Sequence, residues 1–440
     1  MWLVPVFIGV FSLKPLFSSL VSYFRLRKSI EEETLFLVLL ASVSPYHGNE
    51  IENVIEKLAL SDNKNLFKGY RRFSLKIMNL ARYTGVVEAL RIISSIISSR
   101  TLSKILKNYL YSKSLGSERE YLSLVSEEMI RELDQSIKRE TSLKTNIQAI
   151  SIVLFTIIPI VATSLSRIAN ISLMLETNVI MISLAALLLL VTPGLPLILK
   201  GIYRPRFLVV IDGSVYILVI LVLTSLILKQ AILSNMFSLI DVPGSMITSS
   251  FVNMLSAVSE AVAKNLFLIS VVLMILGLIN VYDYVNLFRE LQLAKELLVN
   301  SLSYVRIFKE LGGFDLRRIT GSKKIFRTWL LNYIVFSINY MRDIGLVIEE
   351  LYERFVDKVL EIISLYKNYI YQNMIYVMLL FLQPYIFSRI EDIVTTIPWA
   401  HDTFLVSMIL LSMITSKIMF DRLINGFLVS STLILYDLLR

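Results

Sequence analysis

The stretch "EREYLSLVSEEMIRELDQSIKRETSLKTNIQAISIVLFTII", residues 118–158, holds neither proline nor glycine and passes from a charged segment into an apolar one without a stop signal. In its first half Leu122, Val125, Met129, Leu133 and Ile137 recur at near-helical spacing, with Glu127, Glu128, Arg131 and Asp134 between them. One face is therefore buried and the other meets water. At a rise of 1.5 Å per residue the stretch predicts a continuous rod of roughly 60 Å. Pro159 follows inside the apolar run, where neighbouring helices tolerate a kink, so it need not end the helix. A second passage repeats the design between Leu346 and Gln383, with a stripe of Ile348, Tyr352, Phe355, Val359 and Ile363 and Pro384 as the first breaker. Two amphipathic helices that turn into apolar ones predict water-facing bodies continued directly into a membrane.

The composition agrees. Of 440 residues, 55% are hydrophobic and 18% charged, too apolar for an ordinary soluble chain of this size. Only 15 Gly and 10 Pro occur, and no low-complexity tract, which favours helices over a barrel as the spanning element and predicts an all-α, polytopic membrane protein. The absence of Cys excludes disulfides, thiol catalysis and cysteine metal sites.

Runs long enough to cross about 30 Å of hydrocarbon occur near 147–167, 178–199, 207–228, 266–285, 370–388, 403–420 and 423–439. Residues 1–21 form a weaker N-terminal span, interrupted by Lys14 and Pro15, with a helix lying on the membrane surface as the alternative. Two polar segments remain, 22–146 and 286–369, carrying 20 and 13 of the 44 Lys and Arg. Tight turns at Lys200, Arg204 and Arg206 and at Lys417 and Arg422 add to the same side, which basic loops mark as the cytoplasm. Strict alternation of eight spans reproduces this partition. The expected order is a first cytoplasmic module, 22–146; four spans over 147–285 with an outside loop near 229–265; a second cytoplasmic module, 286–369; and three spans over 370–440.

Both polar segments read as helical modules. Ser29 with Glu32, Asn49 with Glu52 and Ser117 with Glu120 have the spacing of reciprocal N-terminal caps. Gly48, Gly85 and Gly116 fall at intervals of 37 and 31 residues and are expected to end helices, as are Gly313 and Gly345 in the second segment. "ARYTGVVEAL" and "MRDIGLVIEEL" share a short core around Gly85 and Gly345.

Catalytic signatures are missing: the sequence has no phosphate-binding glycine loop, zinc-protease histidine pair, nucleophile elbow or dinucleotide fingerprint. No enzyme activity, cofactor or metal is expected. The two histidines, His47 and His401, are far apart and on opposite sides of the expected topology, so each reads as structural. Asp212 and Asp283 sit near the ends of spans, Asp212 within reach of Arg204 or Arg206, and read as interfacial rather than as a proton relay. Basic pairs at Arg71 and Arg72, Arg317 and Arg318, and Lys323 and Lys324 suit either lipid headgroups or an acidic partner. They lack the aromatic interleaving or fold expected for nucleic acid.

This arrangement resembles the integral membrane platform proteins of type IV pilus-like machines, the type II secretion F domain family. "TLFLVLLASVSPYHGNEIENVIEKLA", residues 34–59, resembles the opening helix, glycine and second helix of that domain, and "YTGVVEAL" its next glycine turn. The extra spans over 178–228 are more similar to the archaeal branch that builds archaella and adhesion pili. The glycine-glutamate pair of bacterial members is absent, since Gly116 precedes Ser117 and Gly345 precedes Leu346. The resemblance implies a non-enzymatic platform in the cell membrane that couples a hexameric secretion ATPase to insertion of pilin-like subunits into a filament, and a homo-oligomer such as a dimer. It makes Arg71, Arg72, Arg317, Arg318, Lys323 and Lys324 candidates for ATPase docking. A solute transporter, or a membrane scaffold unrelated to pili, is the alternative.

Overall fold

The computed structural model describes residues 33–44, 48–60, 68–97, 99–169, 174–192, 209–233, 257, 261, 264–311, 329–343, 349–393, 400–420 and 424–439. All regular structure among them is helical. The helices are α1 (Glu33–Ser42), α2 (Glu50–Leu60), α3 (Lys68–Thr84), α4 (Val86–Ile96), α5 (Arg100–Ser114), α6 (Glu118–Ala169), α7 (Met174–Val191), α8 (Val209–Leu233), α9 (Leu266–Leu311), α10 (Trp329–Asp343), α11 (Glu349–Ile393), α12 (Ala400–Phe420) and α13 (Gly426–Leu439). The expected span 1–21 and most of the loop 229–265 lie outside the described residues.

Two compact units emerge, and the border between them falls inside three helices: between Ser136 and Ile137 in α6, between Asn286 and Leu287 in α9, and between Tyr366 and Lys367 in α11. α6 runs unbroken for 52 residues and α11 for 45, each with its proline inside. Hydropathy alone draws its borders at 146, 285 and 369.

The first unit gathers α1–α5, the first part of α6, the second part of α9, α10 and the start of α11. Its centre is α1, apolar on every side from Leu35 to Ala41 and buried throughout, as a helix without a polar face must be. α10 packs against it. The Tyr333 ring meets Phe36 edge-on at 5.0 Å, its hydroxyl donates to the Phe36 carbonyl at 3.0 Å, and the Tyr340 and Ser44 hydroxyls lie 2.9 Å apart. Phe355 of α11 joins the cluster 6.1 Å from Tyr333. The two polar segments that read as separate modules thus contribute to one core. Periodicity shows which face of each helix is buried but not what it is buried against. Around this core α3 packs on α2 and α4, and α4 on α5.

Short connections join α3 to α4 and α5 to α6. Gly85 has φ 82° and ψ 157°, a region closed to residues with a Cβ. Its N–H closes α3 on the Ala81 carbonyl at 2.9 Å, and its own carbonyl accepts the Ala89 N–H of α4 at 3.0 Å. Gly116, at φ 72°, ends α5. There Ser117 N–H donates to the Ser112 carbonyl and Gly116 N–H to Lys113, the paired bonds of a glycine-terminated helix.

The second unit holds the rest of α6, α9 and α11 with α7, α8, α12 and α13. α12 packs on α7, α8 and α13 and is 94% buried along its apolar window. α9 and α13 cross at Gly277 and Gly426. A Cβ on Gly277 would stand 2.6 Å from the Gly426 carbonyl carbon, and one on Gly426 2.6 Å from the Leu273 carbonyl oxygen, so only glycines permit this approach. α6, α11 and α12 are long and apolar enough to cross a membrane; α7, α8, α9 and α13 contain shorter apolar windows among the described residues.

Candidate functional site

Toward its C-terminal end α6 has its polarity turned inside out, starting with the buried Lys144 and completed past Asn146. Lys144, Gln148, Ser151, Thr163 and Ser166 are buried, while Ile150, Val153, Ile157, Val161, Leu165 and Ile168 are exposed. α11 does the same: Tyr369, Asn373, Tyr376 and Gln383 point inward, and Met374, Ile375, Met378, Leu382 and Ile386 outward. In water this arrangement would be unfavourable on both faces, since about 25 cal/mol accompanies each Å² of apolar surface left wet. It is the arrangement that hydrocarbon around a bundle selects, where polar groups must find partners inside.

The inward groups form a polar seam linking α6, α11 and α12. The Lys144 ammonium donates to the Tyr369 hydroxyl and to the Ile418 carbonyl at 3.2 Å, and sits 5.0 Å from the Tyr369 ring centre. Thr145 and Tyr376 hydroxyls are 2.6 Å apart. One turn on, the Gln148 amide donates to Thr415 at 3.0 Å. Among the described residues, neither amide atom of the buried Asn373 has a hydrogen-bond partner.

The third rung has a cause in the sequence. Pro159 has no N–H, so the Phe155 carbonyl, four residues earlier, loses its bond within α6. That carbonyl accepts from the Gln383 amide at 2.9 Å and from the Ser407 hydroxyl, which the same amide also reaches at 3.2 Å. A proline notch in one helix is filled by side chains from two others. Beyond it the Thr163 hydroxyl donates back to the Pro159 and Ile160 carbonyls.

A second polar cluster lies in the first unit, where α2 meets α5. The Tyr109 hydroxyl donates to Glu52 at 2.6 Å and Glu50 at 3.4 Å, and Lys113 donates to Glu52 at 2.6 Å and to the Asn49 side chain at 2.9 Å. Glu50 accepts the Gly48 N–H at 3.3 Å. Burial pushes the Glu50 carboxyl above the usual carboxylate range; the backbone N–H groups of Glu50 and Gly48 oppose that shift, and nearby Glu118 and Glu52 add to it. Burial likewise raises the Tyr109 phenol, with the Glu52 charge beside it, so Tyr109 stays a donor. Asn49 and Glu52 have the spacing of a reciprocal cap, yet their side chains are spent on α5 instead.

Of the residues singled out by sequence, Arg72 is exposed on α3, and Arg71 lies on the same helix with its side chain outside the described set. Arg317, Arg318, Lys323 and Lys324, with Gly313 and Gly345, lie outside the described residues, as does His47. The side chains of Asp212 and Asp283 are likewise outside them. His401 takes a structural place, its Nδ1 3.2 Å from Glu391 and its ring stacked on Tyr436, whose hydroxyl also donates to Glu391. Among the described residues no group of three His, Asp or Glu could hold a metal ion. Sequence reading passed over Lys144, counting it with the first polar segment. Its signal was the spacing of Lys144, Gln148 and Ser151, one polar stripe entering an apolar run.

No protein-family model, curated protein or solved structure matches this chain.

Proposed function

We propose that this chain is a non-enzymatic membrane platform of a type IV pilus-like assembly machine, of the kind that builds archaeal adhesion pili or archaella. The observation that carries the reading is the continuity of α6 and α11, which run without a break from a unit with charged, water-facing helices into one whose polar groups face inward. On this reading the first unit is cytoplasmic and the second is a multi-pass body in the cell membrane, which the Lys and Arg distribution supports. A hexameric secretion ATPase works on the cytoplasmic unit, and its movement travels along helices held by backbone hydrogen bonds to the bilayer, where pilin-like subunits are lifted into a filament.

The test has two parts. The purified chain in lipid nanodiscs is expected to bind the secretion ATPase encoded in the same genome and to alter its ATP turnover, and deletion of the gene is expected to abolish surface filaments. Neither binding nor a change in turnover, together with intact filaments in the deletion strain, overturns the platform reading.

The buried seam of Lys144, Gln148, Asn373 and Gln383 favours one rival, a solute transporter, because intramembrane polar groups often mark a substrate path. Against it, the seam's donors are largely spent holding helices together. Solute flux into vesicles that is lost in Asn373→Leu but retained without the ATPase would establish the transporter instead.

A further inference from the structure

Helices α3, α4 and α5 form a nearly acid-free layer: residues 68–114 contain ten Lys and Arg and a single carboxylate, Glu88. That carboxylate is already taken by Arg91 at 2.9 Å, and Lys113 belongs to Glu52. Arg72, Lys76, Arg82, Arg100, Lys104 and Lys107 are all exposed, and among the described residues none of the six makes an ion pair or hydrogen bond. Successive helices pack side by side here, α3 on α4 and α4 on α5, so these charges raise one another's potential without neutralisation. Folding alone gives no reason to gather them.

We propose that the exposed face of α3–α5 is a docking surface for an acidic face of a soluble protein. The inference rests on the platform reading, in which that protein is the secretion ATPase. A bilayer surface is the other anionic candidate, but a helix lying in headgroups inserts an apolar face, and that of α3 is already spent: Phe73 and Ile77 are buried inside the unit. The opposite face presents Arg72, Leu75, Lys76, Arg82 and Tyr83, with Tyr83 90% exposed. Exposed arginines around a protruding tyrosine match the composition of protein-protein hot spots. The surface differs from the one expected from basic pairs: it keeps Arg72 and adds cations that are scattered in sequence and gathered by the α3–α5 packing.

The test uses the full chain in nanodiscs of neutral phosphatidylcholine with the ATPase as probe. Wild type is expected to bind with an affinity that falls steeply between about 50 and about 500 mM salt. R72E/R82E/K104E is expected to bind at least about tenfold more weakly. R72K/R82K keeps the charge and is expected to bind within a few-fold of wild type, and unchanged hydrogen exchange in α2–α5 shows that each variant is folded. Binding of the charge-reversed chain at wild-type strength overturns the proposed surface while leaving the platform reading intact. Absence of any binding or turnover change with wild type overturns both. Tethering of anionic vesicles that the charge reversal abolishes, with ATPase binding unaffected, assigns the face to lipid and overturns the proposal.

Discussion

Gly85 and Glu50 show how much one position can carry. Open space surrounds Gly85: nothing lies within 4 Å of where a Cβ would sit, so its constraint is entirely in the backbone. Gly85→Ala is expected to cost about 1–3 kcal/mol. Asn does not rescue it, because ψ 157° lies outside the left-handed helical well that Asn tolerates. Faster hydrogen exchange at the end of α3 and the start of α4 is the readout. Glu50 works through charge. Its carboxyl is raised in the folded chain, so its stabilising contribution is complete below the unfolded value and is lost as pH rises through the folded one. Glu50→Gln keeps an acceptor for the Gly48 N–H and cannot ionise. The variant is therefore expected to gain protection of α2 amides over wild type as pH rises from about 4 to about 7, the reverse of the usual surface carboxylate. The positive-φ glycines were legible in the sequence because only one residue type fits them. The cluster around Glu50 and Glu52 was not, because Tyr109, 57 residues beyond Glu52, competes for a carboxylate that local spacing assigns to a cap.

Among the elements, α6 was the most legible, since 41 residues without a breaker and a change from amphipathic to apolar character leave little choice. What could not be read was the use made of Pro159. The freed Phe155 carbonyl has two donors, so losing one is mild: Gln383→Leu is expected to cost about 0.6 kcal/mol, near the average for a hydrogen bond between membrane helices. Gln383→Leu with Ser407→Ala strips both donors and is expected to cost more than the sum of the single changes, because a carbonyl is then orphaned in a dry interior. Pro159→Ala returns an N–H to α6 and should restore much of the loss. Thermal denaturation of the set in one detergent measures the coupling; additive penalties without rescue would refute this account of the notch. Gly277→Ala has no such escape. The atoms it meets are backbone atoms of α13, so the helices must separate, and a penalty of about 1–3 kcal/mol or more is expected in the same assay.

At the scale of the whole molecule, hydropathy separated charged from apolar stretches but could not show that two charged segments complete a single core. Such pairing depends on Phe36 meeting Tyr333, 297 residues away, and no local signal reports it. The platform reading makes a demand at the same scale. Inserting four Gly/Ser residues after Ser136 breaks α6 where the two units divide. The altered chain is expected to accumulate and to bind the ATPase as before, while filament production falls to the level of a gene deletion. Filaments at wild-type density would show that an unbroken α6 is not required.

The burial of α12 bears on how the chain is made. A helix partitions into a bilayer because lipid replaces water around it, yet α12 is buried by other helices over 94% of its apolar window, with Ser407, Ser412 and Thr415 turned toward its neighbours. It follows α6, α7, α8, α9 and α11 in order of synthesis. On the membrane reading proposed above, those helices wait in the bilayer with their inward polar groups unmatched, or matched provisionally to one another, until α12 packs among them. On that reading the second unit closes only when its most hidden strut has been made.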